Sequence, residues 1–423
     1  MTKKRVPFYI LYALTAYMPF HFYICELFLT KTKADNLVRD FFILWIFFLL
    51  FFKKKIQIKS TGLFVALDCF ILLLFAISSL ISGTNASCVG NSLRTYLVPL
   101  LVYFIASSTP LNKKDYIALT KLIVFEFTAI ALYGIFQALI LGDSFLLKIG
   151  YAGDENGHLS GTSYYISGFY GTQRLVGVFI SPNICGLLLA FVICILLFSN
   201  TIKYIKHRKI YLIVLFFAEI LTFSRSALLA LIIACCIMYS IKYASHKINS
   251  LRVISILLFF CLLLFASYSL DSMLNGGRIW SMLSRSVFGI FNGSDSSASR
   301  HMNDLFASFG SMSEYLFGFG FGTNGPIAAS VLPQAHLVES SYSLMVFELG
   351  VFCGFLFFIP LISSAFNILS KKSLLAPEAR AISICALVNF LFLPNIQTYE
   401  VIFYIFLYLG INDNIYLSRS VKI

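Results

Sequence analysis

Arginine and lysine are used differently along this chain. Arg39, Arg94, Arg174, Arg225, Arg278, Arg285 and Arg300 fall in the segments that the apolar runs place on one side of a membrane, accompanied there only by Lys31, Lys33 and Lys148. On the other side lysine dominates, as in Lys3, Lys4, Lys53, Lys54, Lys55, Lys113, Lys114, Lys206, Lys209, Lys371 and Lys372. A guanidinium is always charged, forks onto two oxygens and is less hydrated than an ammonium, so a face that selects arginine suits a phosphate ligand at a membrane surface. Snorkelling anchorage at the interface is the competing reading. On the same side stand two candidate bases toward a sugar hydroxyl, His336 and Glu339, which share a face if their segment is helical. A solvated histidine and a carboxylate favourable to a helix N-terminus would read the same way. Tyr164, Tyr165 and Tyr170 lie among Gly161, Gly168 and Gly171. Flat aromatic faces with adaptable neighbours suit sugar rings, and suit an interfacial aromatic belt equally well.

These residues must be carried by membrane spans. Of 423 residues, 59% are hydrophobic and 12% charged, against about 25% charged in a soluble domain, and the mean hydropathy is +0.86. A soluble enzyme is excluded. Unbroken apolar runs without period-two alternation exclude a transmembrane β-barrel as well. Spans are expected near 6–28, 37–52, 62–82, 94–108, 116–142, 175–199, 210–224, 226–244, 252–270, 342–366, 381–396 and 399–413. The fold class is therefore an all-α polytopic membrane protein with about 12 transmembrane helices, forming one integral membrane domain over residues 1–423. Basic residues concentrate in the inner short loops, which puts both termini in the cytoplasm. The net charge of +13 is then a topology signal, and no nucleic-acid partner is expected. The opening Met-Thr-Lys-Lys-Arg resembles a signal n-region, but the apolar run behind it is too long and lacks a small-residue cleavage site, so it reads as an anchor.

Two outer loops exceed connector length, 143–174 and 271–341, and function is expected there. In the larger, Met302, Leu305, Phe306 and Phe309 follow helical spacing behind Ser297 and Ser299, and Arg278 and Arg285 would share a face of an earlier surface helix, so this extracytoplasmic loop should carry short helices. The alternating Phe-Gly run Phe317–Gly322 reads as a tight re-entry. A helix of about 33 residues is expected to begin after Pro333 and to project outward before entering the membrane. Ser181-Pro182-Asn183 should interrupt the sixth span. His21, Glu26, Asp68, Glu126, Glu219, Glu348 and Glu400 are costly within spans; Glu348 reads as an interhelical contact. The cysteines, with only Cys88 in an outer loop, read as small core hydrophobes, and neither a metal-type Cys/His spacing, an Asp-x-Asp pair nor a P-loop is present.

Four segments in order carry a resemblance: Arg174-Leu-Val-Gly-Val-Phe-Ile-Ser-Pro-Asn183, then Leu221-Thr-Phe-Ser-Arg225-Ser-Ala-Leu-Leu, then Arg300 ahead of a Leu-Phe-Gly-Phe-Gly turn, then Glu339-Ser340 with Gly350 beyond. Across roughly 170–360 the chain resembles the O-antigen ligase and Wzy polysaccharide polymerase superfamily. The resemblance implies metal-independent glycosyl transfer on the outer face of the bacterial inner membrane, without a cofactor. The donor would be an undecaprenyl diphosphate-linked oligosaccharide, and the product O-antigen or capsular polysaccharide. Arg225 and Arg300 are expected to stabilise the departing diphosphate, Glu339 to take the acceptor's proton and His336 to stand in reserve. Arg174, Asn183, Tyr164, Tyr165, Tyr170, Arg278 and Arg285 complete the expected substrate-binding set. Ligases of this superfamily carry histidine where Glu339 stands, which favours a polymerase. The alternatives are a ligase moving glycan to lipid A core and, further off, a lipid-linked glycan flippase. A chain-length regulator and the repeat-unit flippase are the implied protein partners.

Overall fold

The computed structural model describes residues 5–28, 34–53, 56, 58–154, 158–159, 164–165, 173–199, 204–243, 303, 306, 316–332, 335, 338, 340–366 and 376–414. Two isolated antiparallel bridges aside, the regular structure among them is helical. Among the described residues, four helical stretches are long and apolar enough to cross a membrane: Ser60–Ile81, Ala86–Ser108, Lys113–Lys148 and Ser341–Phe366. This is a membrane protein.

Local chemistry sets where each helix begins and ends. Pro19 ends α1 (Val6–Tyr17) in a tight turn that leads into α2 (His21–Phe28), so the first expected span is two helices. After α3 (Ala34–Phe52) and α4 (Ser60–Ile81) comes α5 (Ala86–Ser108). It starts well before the expected residue 94 because the Asn85 side chain accepts from the Ser87 and Cys88 amides, which buries Cys88 in the first turn rather than leaving it in a loop. An Asn112–Asp115 capping box starts α6 (Lys113–Phe136), which passes through a wide turn at Gln137–Leu141 into α7 (Gly142–Lys148). Ser181-Pro182-Asn183 does not interrupt a span. Ser181 is the N-cap and Pro182 the first residue of α8 (Pro182–Phe198), the position where proline's missing N–H costs nothing.

Next come α9 (Arg208–Leu221), α10 (Arg225–Tyr243) and the short α11 (Gly325–Ala329). The helix expected from Pro333 starts instead at Ser341, as α12 (Ser341–Leu356): Ser340, its side chain on the Tyr342 amide, caps it, and Ala335 and Val338 upstream are not helical. The chain continues through α13 (Ile359–Phe366), α14 (Ala376–Asn389) and α15 (Tyr399–Asn412).

The chain divides into two compact units, Met1–Cys235 with Met312–Ile423, and Cys236–Ser311. In the second, the described residues are the rest of α10 together with Asn303 and Phe306, both helical. The span expected at 252–270 lies outside the described residues, as do Tyr170, Arg278, Arg285, Arg300, His336 and Glu339.

At the centre of the first unit α5 and α15 run parallel. Gly410 makes that possible, since a Cβ there would lie 2.5 Å from the Tyr103 carbonyl oxygen. The Tyr103 hydroxyl donates to Asp413 Oδ2 at 2.7 Å, and Asn414 donates to the Ala106 and Thr109 carbonyls at the same end. Around this pair, α3 and α4 pack on α5 and α8, α13 and α14 on α15, α13 also touches α4, and α6 and α9 join α8. α3 and α4 expose Phe41, Phe48, Phe51, Phe70 and Ile77, an outer surface suited to lipid tails.

The Phe-Gly run does re-enter. Phe319 donates its amide to the Phe347 carbonyl at 2.6 Å, and Phe321 donates its own to Ser79 Oγ at 2.7 Å. The run fits because α12 breaks at Gly350 (φ 80), whose missing Cβ makes room for the Leu316 carbonyl, while Gly318 (φ 70) meets the Gly350 amide. Glu348, fully buried beside the break, faces Tyr96 on α5 and the Gly322 and Asn324 amides, an interhelical contact as expected.

Candidate functional site

Arg174 is fixed by two acceptors from different elements. Its Nη2 donates to Asn183 Oδ1 at 2.7 Å in the first turn of α8, and its Nε to the Thr222 carbonyl at 2.8 Å in the elbow between α9 and α10. The Leu175 amide donates to the Leu221 carbonyl at 2.9 Å, so the irregular segment leading into α8 is stitched to the end of α9. The elbow itself is tight. Phe223 takes φ 50, a left-handed conformation that side chains rarely adopt and that is often retained where a site needs a fixed geometry. The Thr222 hydroxyl donates to the Glu219 carbonyl at 2.6 Å and accepts from the Ser224 amide at 3.2 Å. Gly186 on α8 lets the elbow sit close, since a Cβ there would be 2.9 Å from that of Ser224.

The first residue of α10 is Arg225, and its side chain is exposed. Burial, and then the like charge of Arg225, lower the pKa of Arg174 to about 10, which leaves it charged at neutral pH. A buried guanidinium whose charging is opposed by a second, exposed guanidinium is an arrangement that an anion bound between the two relieves.

From this pair a polar seam continues across the unit. Ser226 Oγ accepts from Asn389 Nδ2 at 3.3 Å, and Asn389 Oδ1 accepts from Asn395 Nδ2 at 2.7 Å. Ser341 Oγ donates to the Leu393 carbonyl at 2.7 Å and accepts from the Ile396 amide at 3.2 Å. Ser340 Oγ donates to the Phe390 carbonyl at 3.1 Å. The segments that carry Arg174, Arg225 and Ser340, separate in sequence, are thus joined by one set of hydrogen bonds, with Asn389 and Asn395 as links that no sequence pattern had singled out.

The described residues of the 143–174 segment are tied to the same region. Tyr165 pairs with Gln173, and the Arg174 amide donates to the Tyr164 carbonyl at 2.8 Å. The Tyr164 hydroxyl donates to the Ile180 carbonyl and that of Tyr151 to the Phe179 carbonyl, each at 2.8 Å. The Tyr165 hydroxyl donates to Asp143 Oδ2. These tyrosines are tethered by their hydroxyls and leave ring surface only in part. Asp143 also holds His158, whose Nδ1 lies 3.1 Å from Oδ2, a pairing absent from the sequence expectations.

Two of the arginines counted with the phosphate-seeking set are placed otherwise. Arg39 lies 3.4 Å over the Tyr399 ring with its Nε 3.1 Å from Asp40, and Arg94 reaches the other oxygen of Asp40 at 3.6 Å. This cluster ties α3, α5 and α15 together, which is a structural use of both cations. The adjacency of Arg39 and Asp40 was its one visible signal. Among the described residues, no three His, Cys, Asp or Glu side chains are grouped to hold a metal ion. Compared with protein-family models and with curated proteins, the chain gives no match.

Proposed function

We propose that this protein is a glycan polymerase of the bacterial inner membrane that joins undecaprenyl diphosphate-linked oligosaccharide repeat units into O-antigen or capsular polysaccharide. The observation that carries the reading is the Arg174–Asn183–Thr222–Arg225 node, with one guanidinium locked by two acceptors and a second beside it at the start of a helix. When the anomeric carbon leaves its lipid diphosphate, charge grows on the bridging oxygen. Cations already in place stabilise that charge more in the transition state than in the bound donor. In this reading Arg300 joins them from the larger loop, twelve helices cross the membrane with both termini in the cytoplasm, and the node faces outward. A chain-length regulator and the repeat-unit flippase are its proposed partners.

The resemblance of the Arg174, Arg225, Arg300 and Glu339 segments to the polymerase superfamily supports the same reaction class. The test is incubation of purified protein with one defined lipid-linked repeat, followed by sizing of the glycans. A ladder of multiples is expected. Donor left unchanged, or, in a parallel reaction with lipid A core added, moved once onto that core without a ladder, would overturn the assignment.

A further inference from the structure

The polymerase reading leaves open which group takes the acceptor's proton, and the geometry of the 143–174 loop bears on it. Resting on that reading, we infer that His158 is the general base toward the acceptor sugar hydroxyl, with Asp143 and Tyr165 as its positioning residues. Four observations converge. First, the His158 backbone is clamped: its amide donates to Asp154 Oδ1 at 2.8 Å and its carbonyl accepts from the Asp154 amide at 2.8 Å. Second, the imidazole Nδ1 lies 3.1 Å from Asp143 Oδ2, an orienting contact that leaves Nε2 as the basic nitrogen when Nδ1 carries the proton. Third, Tyr165 locks the pair, donating its hydroxyl to the same carboxylate, accepting the Leu159 amide at 2.9 Å and meeting the imidazole edge-on at 6.2 Å. Fourth, the histidine side chain is 40% exposed while Asp143 is 18% exposed, so the ring reaches solvent and its orienter is sheltered.

Position makes the arrangement relevant. Tyr165 pairs with Gln173, and the next residue is Arg174, so base and diphosphate cation belong to one small loop framework. In the step assigned here, the acceptor hydroxyl oxygen forms a bond to the donor's anomeric carbon as the bond from that carbon to the diphosphate oxygen breaks. The electron pair leaves with the lipid diphosphate, held by Arg174 and Arg225. The hydroxyl proton passes to His158 Nε2 and from there to solvent. Asp143 balances the imidazolium that forms in between.

The experiment uses the full-length protein in lipid nanodiscs with one defined lipid-linked repeat. His158→Asn retains a donor for Asp143, so the loop stays closed; kcat is expected to fall about 100-fold or more with KM nearly unchanged. Added imidazole should restore part of the rate in His158→Ala, which a purely structural histidine would not allow. An inactive wild-type protein would overturn the polymerase reading itself. Active wild type together with an undiminished His158→Asn, or with a loss that imidazole does not rescue, would overturn the role of His158 alone.

Discussion

Arg174 is oriented before any ligand arrives, because Asn183 and the Thr222 carbonyl occupy one side of its guanidinium. Replacing Arg174 or Arg225 with alanine should lower polymer formation by about 100-fold or more, with membrane insertion unchanged on fractionation. Lysine at 174 should recover little, since an ammonium cannot satisfy both acceptors and still fork onto a phosphate. The pH response follows from the same residue. With its pKa lowered only to about 10, by burial and then by Arg225, Arg174 is protonated below that value and neutral above it. Donor affinity, followed by titration with the glycan-linked lipid diphosphate, whose phosphates do not change charge in this range, should therefore stay flat between about pH 6 and 8 and weaken as pH rises toward 10. The preference for arginine was legible in the sequence because it is a bias in residue type. The pairing of Asp143 with His158 was not, because a separation of 15 residues across a loop follows no helical or strand period. Arg39 and Arg94 show the converse: their residue type was visible, but the Asp40 and Tyr399 contacts that occupy them depend on three helices meeting.

At the scale of elements, the re-entrant Phe-Gly run and the break in α12 are two halves of one device. Gly350→Ala would add strain at φ 80 and drive a Cβ into the Leu316 carbonyl, whereas Gly83→Ala, at φ 84 with nothing within 4 Å, would add the strain alone. Holding an alanine at such a positive φ costs about 1–3 kcal/mol, so both variants should unfold earlier in a thermal melt in detergent. Gly350→Ala should be clearly the worse and should also disturb Glu348 and Tyr96. Equal melting of the two would show that the close approach carries no weight. The alternating glycines announced a turn, since only that residue repeats freely at positive φ. Helix starts were less visible. Asn85 and Ser340 cap α5 and α12 through side-chain bonds that a hydropathy pattern cannot register, so α5 began earlier than expected and α12 later. Pro182 was noticed but misassigned, because proline at the first helical position and proline within a helix look alike in an apolar run.

Across the whole molecule, the ends of α5 and α15 separate two sets of polar residues: Arg94 and Tyr399 with the seam at one end, Tyr103 and Asp413 at the other. The proposed topology makes these the outer and inner faces. A membrane-impermeant thiol reagent on intact cells should therefore label Ser82→Cys above the parent's own signal, and should reach Lys209→Cys only after permeabilisation; the opposite pattern would invert the protein and remove the node from its substrate. The apolar runs made the all-helical character readable, since a helix long enough to span shows in length and composition. They said nothing of which helices lie at the centre. That place goes to α15, whose 14 residues are buried almost throughout. Such a helix is about 21 Å long, short against a hydrocarbon layer of about 30 Å. Under the proposed topology its outer end then lies below the headgroups, and a lipid-linked substrate would have to meet it there. Catalysis should then be tuned by the host bilayer, running fastest in vesicles of short-chain lipid and slowing as the acyl chains lengthen.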